Sequence, residues 1–127
     1  MKAVLRPMTL QRSGVFIALT SISGEGNPGQ SNYAAANMAL EALISSVDRE
    51  TREGIRIRAL RLGPVNEGMM LDLKDRNPEA YQKLADRMPN GELIPVSVVV
   101  DKVLEIIAGE GEDSGPIHVF DGGFRRD

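Results

Sequence analysis

The stretch GNPGQSNYAAAN, residues 26 to 37, places Tyr33 just after a Gly/Pro turn and follows it with three alanines and Asn37. A phenol at the start of a helix is either an acid–base group or an amphipathic anchor, and taken alone the anchor is the commoner use. Ser21 ends the apolar run VFIALT and precedes a glycine-bearing loop; by itself it reads as a turn former or N-cap. The rest of the inventory narrows the chemistry. With no cysteine, disulfides, thiolate metal sites and cysteine nucleophiles are excluded. The single histidine, His118, rules out a His-rich zinc centre, leaves little room for a Ser-His pair, and sits as a structural residue in a strand. No metal site is expected.

The elements that must position these residues alternate between strand and helix. VFIALT, near residues 15 to 20, is continuously apolar and rich in β formers, the pattern of a strand buried on both faces of a parallel sheet. The polar loop from Ser21 to Tyr33 leads into a helix rich in Ala, Leu, Met and Glu, with an apolar stripe at Met38, Leu40, Leu43, Ile44 and Val47 and a C-cap at Gly54. IRIRALRL, near 55 to 62, is a second strand, and Gly63 to Met70 a second polar loop. A short helix beginning at Pro78, a longer one ending at Gly109 and a third strand near 116 to 120 complete the order. This is an α/β chain with a parallel sheet. Ligands of such sheets sit at the carboxyl ends of the strands, which singles out the two polar loops.

With the motifs in this order, TSISG, GNPGQSNYAAAN, LGPVNEGMM and a terminal DGG, the chain resembles the C-terminal half of a short-chain dehydrogenase/reductase. It is most similar to the 3-oxoacyl thioester reductases of fatty-acid synthesis and the ketoreductase domains of polyketide synthases. The resemblance runs over nearly the whole chain. It implies half of a Rossmann-like doubly wound sheet, about three strands with flanking helices, and NADP(H)- or NAD(H)-dependent reduction of a ketone or acyl thioester. It assigns Ser21 and Tyr33 to the positions that hold the ketone oxygen, and Tyr33, Gly63, Pro64, Val65 and Asn66 to the nicotinamide end of the cofactor. The segment after Asn66, with Met69 and Met70, corresponds to a substrate lid. A developing alkoxide needs a preplaced hydrogen-bond donor and a proton source. Phenols titrate near ~10, so most relatives place a lysine four residues after the tyrosine, on the same helix face. Here that third catalytic position holds Asn37, a neutral amide. Polyketide ketoreductases share Tyr-Ala-Ala-Ala-Asn and carry the lysine on the preceding helix, which by resemblance lies roughly ~10 Å before Met1. Lys2 is not its stand-in.

No glycine-rich strand-to-helix turn of the dinucleotide-binding kind occurs in the 127 residues. The expectation is one partial domain, residues 1–127, with the cofactor half absent and tight cofactor binding by these residues alone not expected. The alternatives are a non-catalytic dimerisation or assembly module, and a fragment without a retained role. A net charge of −3 and the lack of a basic stripe argue against nucleic acid. No apolar run reaches membrane-spanning length, so a cytoplasmic location is expected. The sequence predicts a homodimer or a complex with a complementing chain, because the VFIALT strand lacks a neighbour and the tyrosine helix has a wide apolar stripe. Arg56, Arg58 and Arg61 fall on a strand expected to be buried, which suggests an edge or partner-covered position.

Overall fold

Residues 1–26, 28–111 and 114–126 are described by a computed structural model. Three runs of β-branched and apolar residues form strands β1 (Gly14–Ser21), β2 (Ile55–Leu62) and β3 (Ile117–Phe120). They make one sheet of order β1-β2-β3, with both pairings parallel. Ser21 lies opposite Leu62, so β1 and β2 end level with one another. The helices are α1 (Lys2–Gln11), α2 (Ser31–Glu50), α3 (Met69–Arg76), α4 (Pro78–Ala85) and α5 (Val96–Ala108).

Helices cover both faces, which is why the strands lack a polar side. Ile55, Ile57 and Ala59 of β2 pack with Ala18 and Ile44, and with partly buried residues of α1 and α2. Leu60 and Leu62 point the other way, into a second core with Ala85, Met88, Val99, Ile106 and Phe124. The period of two along β2 therefore sorts its side chains between two separate helical layers.

The arginines of β2 differ from their expected placement. β2 is the central strand, and each guanidinium finds partners within the chain. Arg56 donates to the carbonyls of Ile106 and Ile107 at 2.8 and 2.6 Å, at the C-terminal end of α5, where helix carbonyls lack intrahelical donors and the dipole favours a cation. Arg58 is buried and pairs with Asp48 of α2 at 2.6 Å. The same Asp48 oxygen accepts the Ile57 N–H at 3.2 Å, capping a backbone donor below the point where β3 begins its pairing at Ala59. Arg61 pairs with Glu41 of α2.

Two element boundaries also move. The segment after the second loop is helical from Met69, giving a pair of short helices, α3 and α4, where the sequence suggested a loop and one helix. The tyrosine helix ends at Glu50, with Thr51 as C-cap, and Gly54 serves the following turn at φ 88°. Gly109 does cap α5 in the left-handed conformation.

Candidate active site

A cleft of about 550 Å3 opens where β1 and β2 end. The parallel pairing brings Ser21 and Leu62 level, and the chain then turns outward from both strands, so the two strand-end loops face each other across it. Ser21, Tyr33, Gly63, Pro64 and Val65 all line this cleft. Ile22, Met69, Met70, Leu84 and Phe124 give it an apolar wall.

Ser21 is the last residue of β1 and caps the 3-10 turn Ile22–Glu25. Its Oγ accepts the Ser23 N–H at 3.1 Å, which leaves the hydroxyl hydrogen to donate into the cleft. Tyr33 stands in the first turn of α2 and is 41% exposed. Its hydroxyl has no hydrogen-bond partner among the described residues. Ser31 and Asn32, from the same turn, also line the cleft, and the free N–H groups of a helix start carry partial positive charge. Asn37, one turn further on, is turned back on its own helix: Nδ2 donates to the Tyr33 carbonyl at 2.9 Å, and the residue is not part of the cleft wall.

The second loop is held from behind. Gly63 N–H donates to the Phe120 carbonyl at 3.0 Å, and Pro64 and Asn66 bracket Ile94 through two backbone bonds of 2.9 Å. A Cβ on Gly63 would be driven into the Asp121 carbonyl, so only glycine lets the end of β2 and the turn after β3 approach this closely. The Val65 N–H has no acceptor among the described residues. Asn66 is not among the cleft-lining residues; its Oδ1 accepts the Tyr81 hydroxyl of α4 at 3.0 Å. The Val65 N–H and the adjoining cleft thus present one backbone donor beside an apolar wall at the end of β2.

Charged residues brace the site from below. Glu41 is 5% exposed; its Oε1 accepts the Thr20 hydroxyl at 2.6 Å and Arg61 Nε at 2.9 Å, and Oε2 accepts Arg61 Nη2. Burial works against the Glu41 carboxylate, but the hydrogen bonds from Arg61 and Thr20 and the Arg61 charge outweigh it and hold its pKa below the ordinary value. Glu25, in the turn after Ser21, lies 3.6 Å from Arg61 and is gripped by Arg126 at 2.5 Å. Arg126 also bonds Asp121 at 2.9 Å. The Gly123 N–H, aided by Arg126 and opposed by burial, lowers the Asp121 pKa. Sequence reasoning missed Glu41, Glu25, Arg126 and Tyr81. An acidic residue in the apolar-faced helix and arginines in a buried strand were the available signal for the first.

The sequence profile of the short-chain dehydrogenases matches residues 1–78, and the chain belongs to that family. The 3-oxoacyl-acyl-carrier-protein reductase FabG of Pseudomonas aeruginosa is 36% identical over 112 residues, covering 87% of this chain and 44% of the relative. The enzyme of the same name from Chlamydia trachomatis is 30% identical over 125 residues, 95% of this chain and 49% of its own. This chain therefore spans about half the length of the curated relatives it matches. Among solved structures, a protein of Thermus thermophilus superposes with a TM-score of 0.79 at 25% identity, over 97% of this chain and 53% of its own. A variant actinorhodin polyketide ketoreductase solved with NADPH gives 0.76 at 22% identity, over 91% and 49%. The fold is thus the Rossmann-type sheet of these reductases. Among the described residues no helix is long and apolar enough to cross a membrane, and no cluster of potential ligands for a metal ion occurs.

Proposed function

We propose that this chain carries the ketone-binding and proton-donating part of an NAD(P)H-dependent ketoreductase acting on a 3-oxoacyl thioester or a similar ketone. The observation that carries the reading is the convergence of Ser21, Tyr33 and the Gly63–Val65 loop on one cleft with an apolar wall. Ser21 donates to the carbonyl oxygen and holds it in place. Tyr33 donates to the same oxygen and delivers the proton that completes the hydroxyl as the carbon accepts hydride. A dihydronicotinamide, when bound, would supply that hydride. Val65 would offer its backbone N–H to the carboxamide, and the apolar wall would take the chain of the substrate and keep water from the reacting carbon. The adenosine end of the cofactor finds no glycine-rich turn in these residues.

The FabG relatives are named for 3-oxoacyl-acyl-carrier-protein substrates, and one structural neighbour was solved with NADPH, which supports the choice of substrate and cofactor class. The expected assembly is a homodimer or a complex with a chain that completes the sheet. The test is a heteronuclear titration with an acetoacetyl thioester, run beside an assay of NADPH oxidation. Shifts at Ser21 and Tyr33 and along the apolar wall of Ile22, Met69 and Met70 are expected. A titration that leaves the Ser21 and Tyr33 signals still, with no oxidation of NADPH, would refute the reading. One observation favours a second reading, a non-catalytic assembly module: Asn37 engages its own helix and brings no charge to the cleft.

A further inference from the structure

Glu41 occupies the middle of α2, eight residues and roughly 12 Å beyond Tyr33 along the helix axis. Its carboxylate reaches two strands at once. Thr20 and Arg61 are cross-strand partners in the β1–β2 register; Thr20 immediately precedes Ser21, and Arg61 stands two residues before Gly63. One carboxylate therefore ties the helix that carries Tyr33 to the ends of both strands that carry the rest of the cleft. We propose that Glu41 is a positioning residue that fixes Tyr33 in register with Ser21. The proposal rests on the reductase reading of those two residues.

Between Glu41 and Asp48, which holds the far end of the helix to β2 through Arg58 and the Ile57 N–H, the contacts of this face of α2 are apolar: Ile44 is fully buried against the sheet, with Leu40 and Val47 beside it. Apolar burial is strong but non-directional, and it tolerates small slides of a helix along its axis. The Glu41 contacts are directional. Arg61 engages both carboxylate oxygens in a two-pronged arrangement, and the Thr20 hydroxyl adds a third bond from the neighbouring strand. Three bonds converging from two strands set the rotation and axial position of the Tyr33 half of α2, the half that Asp48 and its β2 partners do not reach. An ion pair this buried contributes little net stability compared with a well-packed apolar substitute, whereas registry is a use that such pairs serve well. A reacting geometry that loses activity steeply with a displacement of about 1 Å supplies the need for it. Arg61 is in turn flanked by Glu25, which Arg126 holds, so the turn after Ser21 is tied to the same guanidinium.

The sequence contains two tyrosines, Tyr33 in the cleft and Tyr81 on α4, so incorporation of fluorotyrosine gives two fluorine resonances, assigned with Tyr81→Phe. Glu41→Gln removes the charge, and Thr20→Val removes only the hydroxyl that joins Glu41 to β1. The expected result is that each variant displaces the Tyr33 resonance by more than its linewidth and leaves the Tyr81 resonance in place. A Tyr33 resonance that stays still in either folded variant overturns the proposal. Both resonances moving together also overturns it, since Glu41 would then hold the fold and not the register. Should Glu41→Gln fail to fold, the milder Thr20→Val decides the matter. The fluorine measurement requires no turnover. Lack of reductase activity sinks the functional reading alone, and an unmoved Tyr33 sinks this proposal alone.

Discussion

At the scale of single residues, Glu41 and Asp121 set how the protein responds to acid. Both carboxylates are held below their ordinary values of 4.5 and 3.8. A depressed folded value means that the unfolded chain binds protons first, so the stability these groups contribute is present above the ordinary value and lost as pH falls through the folded one. Glu41→Gln is therefore expected to lower stability most near neutral pH, with the difference from the parent shrinking below 4.5. Urea melts across that range check the sign; a difference that grows as pH falls would contradict it. Tyr33→Phe belongs to the same scale. Removing the phenolic proton while keeping the ring is expected to leave melting nearly unchanged and, in a form that turns over ketone, to cost about 10²- to 10⁴-fold in kcat, the usual worth of a positioned acid.

At the scale of elements, the geometry of the site depends on a close approach at Gly63. Gly63→Ala must push the end of β2 away from the Asp121 carbonyl, which is backbone and cannot swing aside. The expected cost is about 1–3 kcal/mol, in the range of overpacked cores, with the disturbance centred on Val65 and Phe120; calorimetry and amide shifts check both. An unchanged melt would refute the close approach of the two segments. The strands themselves were legible because VFIALT and IRIRALRL carry β formers in runs too apolar for a one-sided sheet. That Ser21 and Tyr33 would face one cleft at the strand ends was legible through motif spacing. What escaped the sequence was of two kinds. α3, MMLDLKDR, is only eight residues long and follows a loop-like stretch ending at Gly68, so it is too short to show a clear apolar period of its own and folds as half of a helical pair with α4. The partners of the β2 arginines lie far off in sequence: Glu41 is 20 residues from Arg61, and Ile106 is 50 from Arg56. The pair that braces the turn after Ser21 is more distant still, with Glu25 101 residues from Arg126. No local pattern encodes such pairs; only the folded sheet brings them together.

At the scale of the molecule, the surface argues for association. The outer edge of β1 pairs with no strand among the described residues, and Leu19 on it is 56% exposed. α5 presents Val96, Val100, Leu104 and Ile107, spaced as one side of a helix, with Val119 of the edge strand β3 also exposed. The tyrosine helix, expected from its sequence to be the main contact, shows one large exposed aliphatic residue, Leu43, because Ile44 is spent on the sheet and Leu40 and Val47 are partly covered by it. Burying ~600 Å2 of apolar surface gains about 15 kcal/mol at roughly 25 cal/mol per Å2, against association costs of about 4–15 kcal/mol. A homodimer or a complex with a sheet-completing chain is therefore expected at tens of micromolar. Sedimentation that returns a monodisperse 13.8 kDa monomer would end this expectation. If the dimer forms, Leu104→Glu should weaken it more than Leu43→Glu, since the first places a charge within a four-residue apolar stripe and the second charges an isolated one. Equal effects, or the reverse order, would move the contact to the tyrosine helix.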